Sequence, residues 1–172
     1  FKGRTVLVAD TNVEDFPSSK RLVEISKSCV RVSKLFGFDP KVAFLSHSTF
    51  GKPISRNTKH VRDAIETLKE EKVGFDFDGV MQPDVALNPI YQDVYPFSKI
   101  VGRANILIMP ALHSAAISTK LMKSFGGAKL IGPLLIGLDL PIEVAPLRAS
   151  TSEILNLASI AAYSSDVIDY SN

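Results

Sequence analysis

The amino-acid sequence predicts an α/β protein with three layers, in which helices cover both faces of a mainly parallel β-sheet. Short apolar runs, typical of buried strands, alternate along the 172 residues with segments whose apolar residues recur every three or four positions, as in amphipathic helices. The apolar runs lie too far apart to be joined by simple hairpins, which favours parallel pairing. With 45% hydrophobic residues, the chain can bury one sizeable core.

The first half of the sequence contains three apolar runs and two amphipathic segments. In the first amphipathic segment, Leu22, Cys29 and Phe36 lie on one helical face. This helix begins near Pro17, whose fixed φ is tolerated in a first turn, and ends near Gly37, a typical C-terminal cap. The predicted strands are residues 5–9, 41–46 and 75–79, and the predicted helices are about 17–37 and 58–72.

The second half contains the clearest strand, residues 105–109, which we expect near the centre of the sheet because it is an uninterrupted apolar run after Asn105. A helix over residues 114–125 follows it. Residues 129–137 are expected to form one or two short strands, whereas residues 138–149 lack clear periodicity.

The last predicted helix covers about residues 151–164. It opens with Ser150 and Glu153, which have the spacing of a capping box. We expect residues 1–141 to form the α/β domain, and residues 142–172 to form a crossing segment followed by this helix.

Composition and charge exclude several classes of partner. The 20 basic and 18 acidic residues are scattered, so we expect no nucleic-acid-binding face. No long apolar span, signal peptide or lipidation motif is present, so we expect no membrane anchor. Cys29, the only cysteine, is expected to be a small buried hydrophobe. These features favour a reduced, cytoplasmic setting, and the lack of an initiator methionine before Phe1 predicts a fragment of a longer protein.

Four polar turns follow predicted strands, at the carboxyl ends where ligands bind in parallel α/β sheets. These turns are residues 46–51, 78–84, 110–114 and 132–137. In the first turn, Ser46, Ser48, Thr49 and Gly51 combine hydroxyl groups with a glycine, which suits phosphate or carboxylate binding by backbone N–H groups. An ordinary polar loop remains the alternative. The sequence has neither a P-loop nor G-x-G-x-x-G, which argues against an ATPase or a nicotinamide-binding unit.

The histidines His47, His60 and His113 lack the mutual spacing of a metal site. We expect His60 to be a solvated helix residue. His47 and His113 fall in predicted ligand-facing turns, where a hydrogen-bonded surface histidine is favoured over a catalytic base.

Three aspartates could form a carboxylate set for a metal ion. Asp76 and Asp78 would point to the same face of a strand, and Asp84 follows shortly after it. No further ligands accompany them, so structural turn and capping roles are favoured and no metal site is predicted.

Longer motifs reveal a resemblance to a known family. The segments Asp78–Asp84 (DGVMQPD) and Ala104–Pro110 (ANILIMP) resemble the core of phosphate acetyltransferases, which move an acetyl group between coenzyme A and phosphate. The segments Phe36–Lys41 (FGFDPK) and Leu45–Gly51 (LSHSTFG) are most similar to the C-terminal acetyltransferase-like domain of large bacterial malic enzymes. The resemblance covers nearly all of the chain and implies the three-layer architecture of isocitrate and isopropylmalate dehydrogenases.

The resemblance also indicates where the chemistry has been lost. The active-site Ser and Arg of the family fall on Pro146 and Leu147, and its Asp falls on Glu153, which the capping box already explains. Losing one group that stabilises transition-state charge typically costs ~10²–10³ in rate. Arg148, one residue out of register, is the alternative cation.

Two further positions depart from the family pattern. Val80 replaces a Glu, and Ala116 stands where the family commonly has Asn. These departures point in the same direction as Pro146 and Leu147, so we expect no catalytic residues in this chain.

The resemblance implies a parent that decarboxylates malate oxidatively to pyruvate with NAD(P) and Mg²⁺ or Mn²⁺, using upstream residues. This chain would be a regulatory domain that binds acetyl-CoA, a related acyl-CoA or phosphate. Residues 142–172 would pack on the missing upstream half, and a homodimer or larger oligomer is expected. The alternatives are an active acetyl- or butyryltransferase and an oligomerisation module without a ligand. The expected ligand-binding residues are Ser46, Ser48, Thr49, Gly51, Asp84, Gly132, Pro133 and Arg148.

Overall fold

The structure, a computed structural model, describes residues 4–9, 13–50, 58–125, 129–138 and 140–167. Its strands are β1 (Leu7–Ala9), β2 (Lys41–Leu45), β3 (Asp76–Met81) and β4 (Ile106–Ile108). Its helices are α1 (Ser19–Leu35), α2 (Lys59–Glu70), α3 (Pro83–Leu87), α4 (Leu112–Phe125) and α5 (Thr151–Val167). The four helices predicted from apolar periodicity are confirmed, with ends that shift by a few residues.

The four strands form one sheet in the order β1-β4-β2-β3, and each of these pairings is parallel. Ile106 of β4 is in register with Leu7 of β1 on one side and with Val42 of β2 on the other. β4 is therefore an interior strand, as its uninterrupted apolar run predicted. The mainly parallel α/β class is confirmed.

Helices α1 and α2 cover one face of the sheet. Phe44 of β2 and Ile106 of β4 pack there with Leu22 and Cys29 of α1 and with Leu68 of α2, in a cluster that we call the first core. Each large side chain buried in this way contributes about 1.5–3 kcal/mol relative to an exposed one. The burial of Cys29 confirms its predicted role as a small hydrophobe.

The opposite face carries a second core. Leu45 of β2 and Leu107 of β4 pack there with Ala86 of α3, with Ala115 of α4 and with Ala104, which precedes β4. Successive residues of a strand point to opposite faces, so each interior strand serves both cores. The sheet is therefore the middle layer, with helices on each of its two faces. These are the three layers that the sequence predicted.

Two local predictions were wrong. Residues 78–84 were expected as a polar turn, but β3 continues to Met81 and α3 begins at Pro83, whose missing N–H costs nothing in a first helical turn. Residues 129–137, expected as one or two short strands, make only an isolated antiparallel bridge between Leu134 and Glu143 within the described part of that segment. Glycine and proline interrupt the apolar run there, so a continuous ladder does not form.

Packing divides the chain into two compact units, Phe1–Lys120 and Leu121–Asn172, and the division falls inside α4. In the second unit, Leu157 is the only buried hydrophobic side chain among the described residues. The boundary expected between residues 141 and 142 stays a prediction. None of the helices in the described part of the chain is both long and apolar enough to cross a membrane.

Gly79 controls the pairing of β2 with β3. A Cβ atom at this position would lie 2.7 Å from the carbonyl oxygen of Phe44 and 2.9 Å from its Cβ, and the φ of Gly79 is +150°. The register shifts directly after this contact, so that Leu45 pairs with Met81 and Val80 is skipped. This bulge keeps Val80 in the first core and extends β3 beyond its predicted end.

We predict that Gly79→Ala lowers the free energy of unfolding by about 2–4 kcal/mol, because the methyl group meets the backbone of β2 and the φ is strained for alanine. Gly74→Ala is the matched control, since its Cβ would meet nothing within 4 Å. Urea unfolding of both variants measures the difference. Equal stability of the two variants would contradict the role assigned to Gly79.

Candidate functional site

The loop Ser46–Phe50 begins where β2 ends and is fixed to the end of β3. The N–H of Ser46 donates to the carbonyl oxygen of Met81 at 2.9 Å, and the N–H of Phe50 donates to that of Val80 at 2.8 Å. Both acceptors lie at the bulge next to Gly79. The loop therefore depends on the contact between β2 and β3 for its position.

Gln82 holds the same loop from its other side. Its backbone N–H donates to the hydroxyl oxygen of Thr49 at 3.0 Å, and its side-chain Nε2 donates to the carbonyl oxygen of His47 at 2.7 Å. The sequence interpretation did not single out Gln82, although it lies inside the DGVMQPD motif. A polar side chain directly after a buried strand was the signal for it.

Hydroxyl groups of the loop Ser46–Phe50 can donate hydrogen bonds to a ligand. Ser46 and Ser48 are buried, and the hydroxyl oxygen of Ser46 accepts a long bond from the N–H of Ser48 at 3.4 Å. The bonds described for Ser46 and Thr49 use their oxygens as acceptors, so each O–H can donate to an anion. Gly51, the remaining predicted ligand residue of this turn, lies outside the described residues.

Asp78 and Asp84 differ in environment. The carboxylate of the buried Asp78 accepts from the N–H of Gly79 at 2.9 Å and from the N–H of Lys99 at 2.7 Å, which supports the favoured structural role. Asp84 is exposed in the first turn of α3. As a carboxylate, it would accept from a ligand hydroxyl or amide rather than contact a phosphate.

Three aromatic rings lie beside the loop. The ring of Phe50 is 5.5 Å from that of Tyr95 and 5.1 Å from that of Phe97, and the last two rings are 6.1 Å apart. Phe97 is nevertheless 64% exposed. The sequence interpretation missed this cluster, because residues 50 and 95 are brought together only by the fold.

The turn Gly132–Pro133 lies in the second unit. Gly132 has a φ of +126°, and its peptide bond to Pro133 is cis. The N–H of Leu135 donates to the carboxylate of Glu143 at 3.4 Å. Burial raises the pKa of Glu143 above its ordinary value, and this hydrogen bond opposes the rise. Glu143 was not among the predicted site residues.

Arg148 lies in a turn directly before α5. The N–H of Ala149 donates to the carbonyl oxygen of Pro146 at 2.9 Å, which closes the turn. Pro146, Leu147 and Arg148 are all exposed, and Leu147 is as exposed as in an extended chain. The positions on which the resemblance places the Ser and Arg of the family thus carry an exposed ring and an exposed aliphatic side chain.

The capping box of α5 is confirmed. The N–H and hydroxyl of Ser150 donate to the carboxylate of Glu153 at 2.8 and 2.9 Å, and the N–H of Glu153 donates to the hydroxyl oxygen of Ser150 at 3.3 Å. The bonds that Ser150 donates make the largest contribution to holding the pKa of Glu153 below its ordinary value. The ammonium of Lys123, 3.4 Å away, makes a smaller contribution in the same direction.

One histidine prediction was wrong. His60 is half-buried rather than solvated, because its Nε2 lies 2.9 Å from the carbonyl oxygen of Pro110 and its ring lies 4.3 Å from that of Phe16. His47 and His113 are exposed. Among the described residues, no group of three or more His, Cys, Asp or Glu side chains could hold a metal ion.

The predicted ligand residues are therefore divided between the two units. Ser46, Ser48 and Thr49 lie in the first unit on one loop, and Asp84 lies on the short helix that follows Gln82. The other three described residues, Gly132, Pro133 and Arg148, belong to the second unit.

Comparison with known proteins identifies relatives over nearly the whole chain. The family described as "Phosphate acetyl/butaryl transferase" matches residues 1–162. An NADP-dependent malic enzyme of Rhizobium meliloti is 48% identical over 162 residues, which are 94% of this chain and 21% of that enzyme. A phosphate acetyltransferase of Bacillus subtilis is 34% identical over 155 residues, 90% of this chain and 48% of that protein. The chain thus spans only part of the curated relatives that it matches.

A solved structure supports the fold. A phosphotransacetylase from Streptococcus pyogenes superposes with a TM-score of 0.89 and 31% sequence identity, covering 96% of this chain and 50% of that one. The three-layer α/β architecture described above is thus shared with that enzyme.

We predict that the start of α5 loses stability in acid. Because Glu153 has a lowered pKa in the folded state, its stabilising contribution is present above its ordinary pKa of 4.5 and is lost as the pH falls through the lower folded value. Amide hydrogen exchange in the first turn of α5 measures this loss. In Glu153→Gln, whose amide can still cap, exchange protection should change little over the same pH range.

Ser150→Ala is the companion variant, because it removes the hydroxyl bonds and should move the pKa of Glu153 back towards 4.5. An unchanged carboxyl titration of Glu153 in this variant, followed by NMR, would contradict the capping role.

Proposed function

The chain belongs to the Phosphate acetyl/butaryl transferase family, and from that premise we propose that it is the C-terminal phosphotransacetylase-like domain of a malic enzyme. In this proposal the domain binds acetyl-CoA or a related ligand for allosteric regulation and no longer catalyses acyl transfer. The identity of 48% with a malic enzyme, against 34% with a phosphate acetyltransferase, supports the choice of branch.

The exposed turn at Pro146 and Leu147 is the observation that carries the loss of catalysis. Proline and leucine provide neither a nucleophilic or hydrogen-bonding hydroxyl nor a guanidinium, which the family pattern has at these positions. Val80 adds to this argument, since it is packed in the first core, where an unpaired carboxylate would be costly.

The loop Ser46–Phe50 is the proposed anchor for a phosphate or carboxylate of the ligand. Gln82 holds its backbone in place, so the hydroxyls of Ser46 and Thr49 are positioned before the ligand arrives, which lowers the entropic cost of binding. In the second unit, Gly132, Pro133 and Arg148 are the proposed ligand residues, with the guanidinium of Arg148 as a partner for a phosphate.

Regulation requires that the ligand binds two states of the whole enzyme with different affinities. Acetyl-CoA is a suitable feedback ligand because it is made from pyruvate, the product proposed for the parent. In this proposal the parent is cytoplasmic, decarboxylates malate oxidatively with NAD(P) and Mg²⁺ or Mn²⁺, and holds those groups in its upstream part.

The surface of the second unit supports the proposal that it binds another domain or another protein chain. Many of its large apolar side chains are exposed, and Leu157 is the only buried one among its described hydrophobic residues. Exposed apolar surface of this extent is typical of a region that contacts another protein or domain. We assign this surface to the upstream half of the same protein and to a homodimer or larger oligomer. Its exposed large hydrophobic residues include Phe125, Leu140, Ile142, Leu147 and Leu155.

We predict that acetyl-CoA stabilises the protein in a thermal-shift titration. A ligand at about 100 times its Kd adds about 2.7 kcal/mol, which raises Tm by about 5–10 °C in a chain of this size. Arg148→Gln should weaken this binding about tenfold or more, because a charge-assisted hydrogen bond is lost. Arg31→Gln, an exposed change on α1, is the matched control.

The same thermal-shift titration is carried out with coenzyme A and with acetyl phosphate. The same measurement is made on the full-length protein, which contains the upstream residues proposed to complete the ligand pocket. No shift with any of the three ligands in the full-length protein would refute ligand binding and leave the oligomerisation module.

We predict, in addition, that the full-length protein does not release coenzyme A from acetyl-CoA and phosphate. The thiol assay should stay at background, far below the ~10 s⁻¹ median of ordinary enzymes. Turnover near that value would refute the loss of catalysis. If Arg148→Gln then abolished the turnover, Arg148 would be the substitute cation, and the active acetyl- or butyryltransferase would replace our proposal.

A further inference from the structure

A cleft of about 260 Å³ opens at the amino-terminal end of β3, in the first unit. It is lined by the end of α2, the following turn, the start of β3 and Lys99. Its residues, which we call the lysine cleft, are Leu68, Lys69, Lys72, Val73, Phe75, Asp76, Phe77 and Lys99. The strands of the sheet are parallel, so this end lies opposite the end that carries the loop Ser46–Phe50.

The lysine cleft has an apolar floor. Leu68 and Phe77 are buried, and the rings of Phe75 and Phe77 lie edge to face with centroids 5.8 Å apart. Phe75 is only partly buried, so a planar apolar group placed on this floor would cover the part of Phe75 that now faces water.

The rim of the lysine cleft is positive. Its lining residues include three lysines and one aspartate, Asp76, and two nearby carboxylates are already engaged. Glu66 binds the ammonium of Lys69 at 2.8 Å, while Glu71 binds that of Lys27 on α1 at 2.6 Å. For Lys72 and Lys99, the described part of the chain offers no ion pair.

Lys72 adopts an unusual backbone conformation. Its φ is +51°, in the left-handed region, at the turn that ends α2. Glycine is the favourable residue at such a position, because an L side chain is strained there. Lys72 nevertheless occupies this position, where it lines the cleft.

We propose that the lysine cleft binds a small organic phosphate that carries a planar apolar group. The ammonium groups of Lys72 and Lys99 would contact the phosphates, and the ring would lie on Phe75 and Phe77. Lysine suits this role as a compact point charge with several donors. The site is separate from the acyl-CoA loop and does not rest on the function proposed above.

ADP, adenosine and inorganic pyrophosphate are the probes for this site. We expect ADP to bind, with adenosine and pyrophosphate each weaker, because each offers only one of the two contacts. Lys72→Gly should weaken ADP binding about tenfold or more, while Tm stays equal or rises since glycine relieves the left-handed strain. Lys99→Gln should weaken ADP binding to a similar degree, and raising the salt concentration should weaken it in the unaltered chain.

Lys34→Gln, at an exposed lysine of α1, is the matched control and should leave ADP binding unchanged. Arg148→Gln should also leave it unchanged, which separates this site from the acyl-CoA site. Calorimetric titration of the 172-residue chain with all variants gives the affinities. The proposal is overturned if ADP does not bind, or if Lys72→Gly and Lys99→Gln bind it as tightly as the unaltered chain.

Discussion

The close approach of β2 to β3 at Gly79 is the constraint on which the rest of the site depends. Because no side chain separates Gly79 from the backbone of Phe44, the register shifts by one residue at this point. The shifted carbonyl groups of Val80 and Met81 then receive the N–H groups of Phe50 and Ser46. The absence of a side chain at Gly79 thus fixes the position of the loop Ser46–Phe50, which is proposed to bind the ligand.

The sequence predicted those parts of the fold whose signals are local. The apolar run of β4 and the Ser150–Glu153 capping box are read within a few residues, and both are confirmed. The contacts of His60 with Pro110 and of Gln82 with His47 join residues 50 and 35 positions apart, and no local pattern specifies them. For the same reason, the DGVMQPD motif contained Gln82 without indicating what it holds.

The bulge also bears on the proposed loss of catalysis. Strict alternation along β3 would send Val80 to the face opposite Gly79, but the skipped residue remains in the first core with Phe44 and Ile65. A carboxylate introduced there would lose its hydration without a described partner, so the apolar residue fits its surroundings. A glutamate at position 80 would therefore require repacking of the core as well as a change of charge.

The second unit differs in what holds its structure. With Leu157 as its only buried hydrophobic residue among those described, it relies on local hydrogen bonds such as the Ser150–Glu153 cap and the Leu135–Glu143 contact. Water competes for exposed partners of this kind, so such bonds set the shape of a turn more than the stability of a domain. The exposed Leu147 and Arg148 lie on a turn of this kind, just before the cap. Where hydrogen bonds fix only the backbone, the side chains on the turn can differ without loss of the fold, so the fold itself does not dictate which residues stand at positions 147 and 148.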